Sequence, residues 1–435
     1  MKRITADIVR QRLLSTINSL FERRDVFLMN PQSDFTRIKK ISFQQTILFP
    51  MLAGSEDIDD ELMDFFYEEN LPLASAMIQR RNQIKSVAFQ ELFYHFSKSI
   101  PVLNTFRSYQ LAVVDGSRLN LPYNPRNPDT FIQCIKGRKG INQMHMNALY
   151  DPLNDYFLDV ELQYIHQMNE KGAFCKFLDK NRDADSSRKR IYLADRGYAS
   201  YNIFAHAIHN NQLFLIRVPE TFAEKMCPNS YGWLEEQYED EEVTVSIGRR
   251  YTTKNKQLEN YHCIPSDGHY DFIEAKADGV DLLRLRVLKF PIGNDSFEYI
   301  VTNLPKYAFS LQTIKDLYHI RWGCETAFRH LKYAGNMVHI HSLKQDHLLQ
   351  EIFGKLTLYN FSSFMASAID GTTKKTDRYV YVIDHSKMQK IIIRYLKGFV
   401  KDVEGLITRY LVPIRPGRVF QRNIRRQSAD TLNYR

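Results

Sequence analysis

Two aspartates in this chain each close an apolar run of β character. One is Gln110-Leu-Ala-Val-Val-Asp115, followed by Gly-Ser; the other is Arg190-Ile-Tyr-Leu-Ala-Asp195, with Gly197 close behind. Aspartates at the ends of neighbouring strands repel unless a cation sits between them, and carboxylate oxygens are the hard ligands that Mg2+ and Mn2+ prefer. An aspartate before glycine is also an ordinary turn former, so the pair alone leaves both readings open. A third carboxylate, Glu325, lies in a segment of helical period. At about 100° per residue, Tyr318, Arg321, Glu325 and Lys332 share an arc of about 60°, with Trp322 at its border. Leu317, Ile320, Cys324, Ala327, Phe328 and Leu331 fill the adjoining arc as a core face. The polar stripe offers a metal ligand, a phosphate fork from arginine, a point charge from lysine and a phenol. Its alternative is a solvated helix with an Arg321–Glu325 pair.

The elements that must position these groups follow from period and punctuation. Residues 1–105 read as helices over 8–23, 43–52, 56–69, 74–84 and 87–97, a probable DNA-binding domain. The 74–84 helix follows a short break, as the second helix of a helix-turn-helix does; that places Gln79, Arg80, Arg81 and Gln83 toward DNA. Strands follow over 110–115, 145–150, 156–162, 190–195 and 213–218, with a hairpin turn at Asp151-Pro-Leu-Asn-Asp155 and helices over 172–179 and 201–210. Residues 219–297 alternate at period two and read as a β-rich insertion. A strand over 299–304 and helices over 311–333 and 347–368 complete an α/β catalytic core of 106–218 and 298–375. Helices and a basic tail occupy 376–435.

The chain has 435 residues, 44% hydrophobic and 25% charged, which excludes intrinsic disorder as its main theme. No run of about 18 apolar residues occurs, and the N-terminus has no apolar signal segment, so a cytoplasmic protein without a membrane span is expected. Five cysteines without a CxxC pair fit a reducing compartment, and His339-Ile-His341 has no third ligand nearby for zinc. The formal charge is +9. From Ser386 onward twelve Lys/Arg face three acids, which accounts for the whole excess. Arg415, Arg418, Arg422, Arg425 and Arg426 crowd into twelve residues without an acid, a composition suited to a polyanion such as DNA.

The spacing Tyr318-x2-Arg321-x3-Glu325-x6-Lys332 resembles the Tyr-Arg-Glu-Lys signature of bacterial insertion-sequence transposases with an Asp-Asp-Glu triad, the IS-four-like group. Val114-Asp115-Gly-Ser resembles that family's first aspartate, Ala194-Asp195-Arg-Gly-Tyr198 its second, and the 130-residue gap from Asp195 to Glu325 its β-strand insertion. The resemblance spans about residues 40–425. It implies a ribonuclease-H-like core, two Mg2+ ions (or Mn2+ in their place) on Asp115, Asp195 and Glu325, and two-metal phosphoryl transfer. It also implies that Tyr318, Arg321 and Lys332 hold phosphates of double-stranded DNA, with Trp322 or Trp233 stacking on a flipped base. A homodimer in the synaptic complex is expected by the same resemblance. The function that follows is cut-and-paste transposition: binding terminal inverted repeats, cleaving donor DNA and joining 3′ ends to a target. A non-catalytic DNA-binding descendant and a nuclease of the same fold remain open on sequence alone.

Overall fold

The computed structural model describes residues 4–415 except 38–39, 135–138, 181–188, 228–238, 276, 294–295, 370–372 and 377–378. Trp233, Arg418, Arg422, Arg425 and Arg426 lie outside the described residues. Helix α1 (Ala6–Glu22) begins where the Thr5 hydroxyl accepts from the Ile8 N–H, and it buries Val9, Leu13, Ile17 and Leu20 at helical spacing. A short α2 (Arg24–Phe27) precedes α3 (Phe43–Leu52), which starts at a Ser42–Gln45 capping box. Then come α4 (Ile58–Phe65), capped by Asp57, α5 (Ala74–Asn82) and α6 (Val87–Ser99).

Helix α5 turns its arginines inward, which overturns the expectation that they face DNA. Arg80 and Arg81 are 7% and 5% exposed. Arg81 donates to Gln350 Oε1, the His347 carbonyl and Glu351 Oε1 at 3.0–3.1 Å, while Arg80 lies over the Phe35 ring and donates to Gln83. The physical reason is that Met77 and both guanidinium stems share one face, and a buried carboxylate waits opposite them. Of the four residues expected on the surface, Gln79 alone is fully exposed.

The central sheet contains β1 (Gln110–Leu121), β2 (Phe131–Ile132), β3 (Ile141–Asp151), β4 (Tyr156–Tyr164), β5 (Arg190–Ala194), β6 (Leu213–Val218), β7 (Glu239–Gly248), β8 (Tyr261–Cys263), β9 (Val280–Gly293) and β10 (Ser296–Thr302). Its order is β2-β3-β1-β5-β6-β10-β9-β7-β8, with β4 also on β3. Strand β3 pairs antiparallel with both β4 and β1; β1, β5 and β6 run parallel; β10 pairs antiparallel with β6, and β9 with β10. The strands expected as an insertion therefore extend the central sheet through β10. Alternation sorts each strand between two cores. Ala112, Val114, Tyr192 and Phe214 pack with α7 (Glu170–Lys180), α8 (Tyr201–His209) and α9 (Glu220–Met226). Leu111, Val113, Ile191, Leu193 and Ile300 pack on the opposite face with α1, α6 and three later helices, α10 (Leu311–Ile320), α11 (Gly323–Arg329) and α12 (Gln345–Ala368). The N-terminal helices thus share one hydrophobic core with the sheet.

The C-terminal part, expected as helices, also holds a small antiparallel sheet, β11 (Thr373–Lys375), β12 (Val380–Ile383) and β13 (Leu411–Ile414), around α13 (His385–Leu396) and α14 (Val403–Arg409). Strand β13 pairs with β12 across two helices, so no hairpin turn announces it. Among the described residues no helix is long and apolar enough to cross a membrane.

Candidate functional site

Parallel pairing of β1 with β5 runs to Val114↔Ala194, so the next residues, Asp115 and Asp195, stand side by side. Neighbouring strands lie about 4.8 Å apart. By alternation Asp115 follows Leu111 and Val113, and Asp195 follows Ile191 and Leu193, onto the face covered by α10 and α11. The Asp195 carboxylate accepts from the Gly197 N–H at 2.8 Å and starts a 3-10 turn, so β5 ends there. Asp115 accepts from its neighbour Gly116 at 2.8 Å, yet β1 continues to Leu121, paired with β3.

The third carboxylate arrives on a helix that is not continuous, contrary to expectation. At Arg321 the bonding tightens: Arg321, Trp322 and Cys324 donate to Tyr318, His319 and Arg321 three residues back. At His330–Ala334 it widens to a π turn, closed by Gly335 N–H to the His330 carbonyl at 2.9 Å. Tyr318, Arg321, Glu325 and Lys332 thus sit on α10, the tight turn, α11 and the π turn respectively. Arg321, 5% exposed, places its guanidinium 3.8 Å from Asp115 Oδ2 and 3.4 Å from Glu325 Oε1, spanning the gap between sheet and helix. It also lies over the ring of Trp322, which is 50% exposed.

Burial pushes the Asp115 carboxyl up to about 6; Gly116 and Arg321 act against that shift, and Asp195 and Glu325 reinforce it. Three carboxylates therefore feel one another and a single arginine. Burial raises Tyr318 to about 12 and lowers the Lys332 ammonium. Among the described residues Lys332 has no hydrogen-bond or ion-pair partner. Tyr198 Oη, Tyr318 Oη and Arg321 Nε are buried without partners, so the site holds unused polar capacity. The donor chemistry, three carboxylates with such groups around them, suits a hard divalent cation. Among the described residues no three His, Cys, Asp or Glu side chains converge closely enough to chelate an ion as they stand.

Some neighbours escape a reading of sequence. His145 on β3 donates from Nε2 to Glu170 Oε1 of α7 at 3.0 Å, on the far side of β1 from Asp115. A Cβ at Gly116 would come within 2.5 Å of Glu170 and 2.7 Å of His145, so glycine there admits the pair. Arg217, next after Ile216 in the row Val114–Ala194–Ile216, is held by Glu298 at 3.2 Å. Cross-sheet register makes these neighbours, and register is not written in any single motif. Arg415 is exposed just after β13, away from these contacts in sequence. The His341 backbone N–H donates to Glu351 Oε2 at 2.8 Å, within the network around that buried carboxylate.

The family model for the transposase DDE domain matches residues 107–361, more than half of the chain and every residue of the site just described. No curated protein matches the sequence. Among solved structures, one match is the cryo-EM structure of a piggyBac transposase synaptic complex with hairpin DNA, 8% identical over 91% of this chain and 80% of that one, with a TM-score of 0.46. On the match over residues 107–361, this chain belongs to the transposase DDE domain family.

Proposed function

We propose that this chain is a cut-and-paste DNA transposase of the IS-four-like group, binding terminal inverted repeats, cleaving donor DNA and joining the 3′ ends to target DNA. The observation that carries the reading is the meeting of Asp115 and Asp195, side by side on parallel strands, with Glu325 from the facing helix through one shared arginine. The order β4-β3-β1-β5-β6, antiparallel then parallel, supports a ribonuclease-H-like core. Asp115, Asp195 and Glu325 would hold Mg2+. Two such ions supply activation of the attacking oxygen and stabilisation of the leaving one. The protein's own part is positioning. Arg321 offsets part of the carboxylates' charge and would clamp a phosphate beside them, and Lys332 offers a half-buried charge to another. Trp322 offers an exposed ring face for a base. Two copies act together in the synaptic complex, because two ends must be joined to one target.

The test is incubation of purified protein with Mg2+ and a linear donor carrying the repeats that flank its gene. Liberated 3′-hydroxyl ends that become joined to a second duplex support the proposal. Cleavage without joining marks a nuclease, and binding without cleavage marks a non-catalytic DNA-binding protein.

A further inference from the structure

A line of charge leaves the carboxylates in one direction across the sheet. The row Val114–Ala194–Ile216 is followed on β1, β5 and β6 by Asp115, Asp195 and Arg217. Arg217 pairs across to Ile300 of β10, and two residues along that strand, on the same face, Glu298 takes the Arg217 Nε at 3.2 Å. Opposite Glu298 on β9 is Phe290, and the Lys315 ammonium of α10 lies 5.2 Å from that ring. The Glu298 carboxyl lies in the field of Arg217, Arg321, His319 and Lys315 together. Lys315 and His319 are four residues apart, so they stand on one stripe of α10. His319 is exposed, and Lys315 and Arg217 are partly so. Three permanent cations and an imidazole thus lie around a single carboxylate, on the strand row that continues from Asp195.

We propose that this charged row, from Arg217 and Glu298 to the Lys315–His319 stripe of α10, is a track for the DNA backbone leading away from the carboxylates, with Lys315 and His319 contacting its phosphates. Glu298 is the counter-charge that keeps Arg217 and the stripe in place when no DNA is bound. The ligand class is a polyphosphate backbone, recognised by spaced cations without reading of bases. This inference rests on the proposed transposase function and adds the direction in which the strand runs.

The experiment is a salt titration of duplex binding by the full chain, using a duplex of one element end. It compares wild type, Lys315→Met, His319→Ala, the double variant and Lys254→Ala, a lysine on the far edge of the sheet. Methionine keeps the apolar stem over Phe290 while removing the charge. The Lys315→Met and double variants should bind more weakly and flatten the slope of log K against log salt by about 0.9 or more. Lys254→Ala should leave the slope at the wild-type value. A wild-type slope in the double variant, with end cleavage intact in the wild type, overturns the track and leaves the transposase reading standing. A wild-type chain that binds no duplex overturns both.

Discussion

Asp115 is held in a place that suits a cation better than it suits the folded protein alone. Its carboxyl is raised from 3.8 to about 6, chiefly by burial. Because the folded value lies above the unfolded one, the charged form opposes folding. That cost is full above about pH 6 and fades as pH falls toward 4. Two pH units correspond to roughly 3 kcal/mol. Asp115→Asn should therefore raise stability in metal-free buffer by up to roughly 3 kcal/mol at pH 8 and by little near pH 4, while ending cleavage. Denaturant unfolding at the two pH values checks this, and a loss of stability at pH 8 would contradict it. Lys332 follows similar logic: its half-buried ammonium has no described partner, so Lys332→Met should leave thermal stability equal or higher and weaken DNA binding. A melting temperature lowered as far as by Phe328→Ala would make Lys332 structural. The sequence shows these residues plainly, because each closes an apolar run or sits at helical spacing. Glu170, His145, Arg217 and Glu298 are illegible there, since only sheet register and helix packing bring them near.

Elements show where residue type misleads. A basic run on α5 reads as a surface for DNA, yet Arg81 is buried against Glu351 and Gln350 of α12, two hundred and seventy residues away. Nothing local announces such a partner. Glu351 also receives the His341 N–H and the Ser342 hydroxyl, so the pair belongs to a network between the N-terminal helices and the core. Arg81→Ala should cost about 3–5 kcal/mol, because it leaves a buried carboxylate unpaired. Urea denaturation reads that cost, and the salt dependence of DNA binding should not change. A fall below about 1 kcal/mol, with a flatter salt slope, would restore Arg81 to the DNA surface. Elements with sharp ends, such as α3 after its Ser42 cap and β6 before Pro219, match their expected bounds residue for residue. The helix of the Tyr-Arg-Glu-Lys stripe does not run unbroken, because switches between i→i−3, i→i−4 and i→i−5 bonding leave hydrophobic spacing nearly unchanged.

Across the whole molecule, the net charge resides beyond Ser386, and the rest of the chain is neutral overall. Removing residues 416–435 deletes five arginines and one aspartate. Affinity for any duplex should fall, and the salt slope should flatten by up to about 4 units. An unchanged slope would mean that the tail serves something other than phosphates. The N-terminal helices, the sheet and the last helices share one core. We propose that Asp115, Asp195 and Glu325 act as one metal-dependent centre. Its most direct measurement is Mg2+-dependent nicking of element-end DNA by wild type and by Asp115→Ala, Asp195→Ala and Glu325→Ala, with DNA binding measured on the same preparations. Each variant should lose nicking while binding stays within a few-fold of wild type. Near-normal nicking by any one of the three would contradict it.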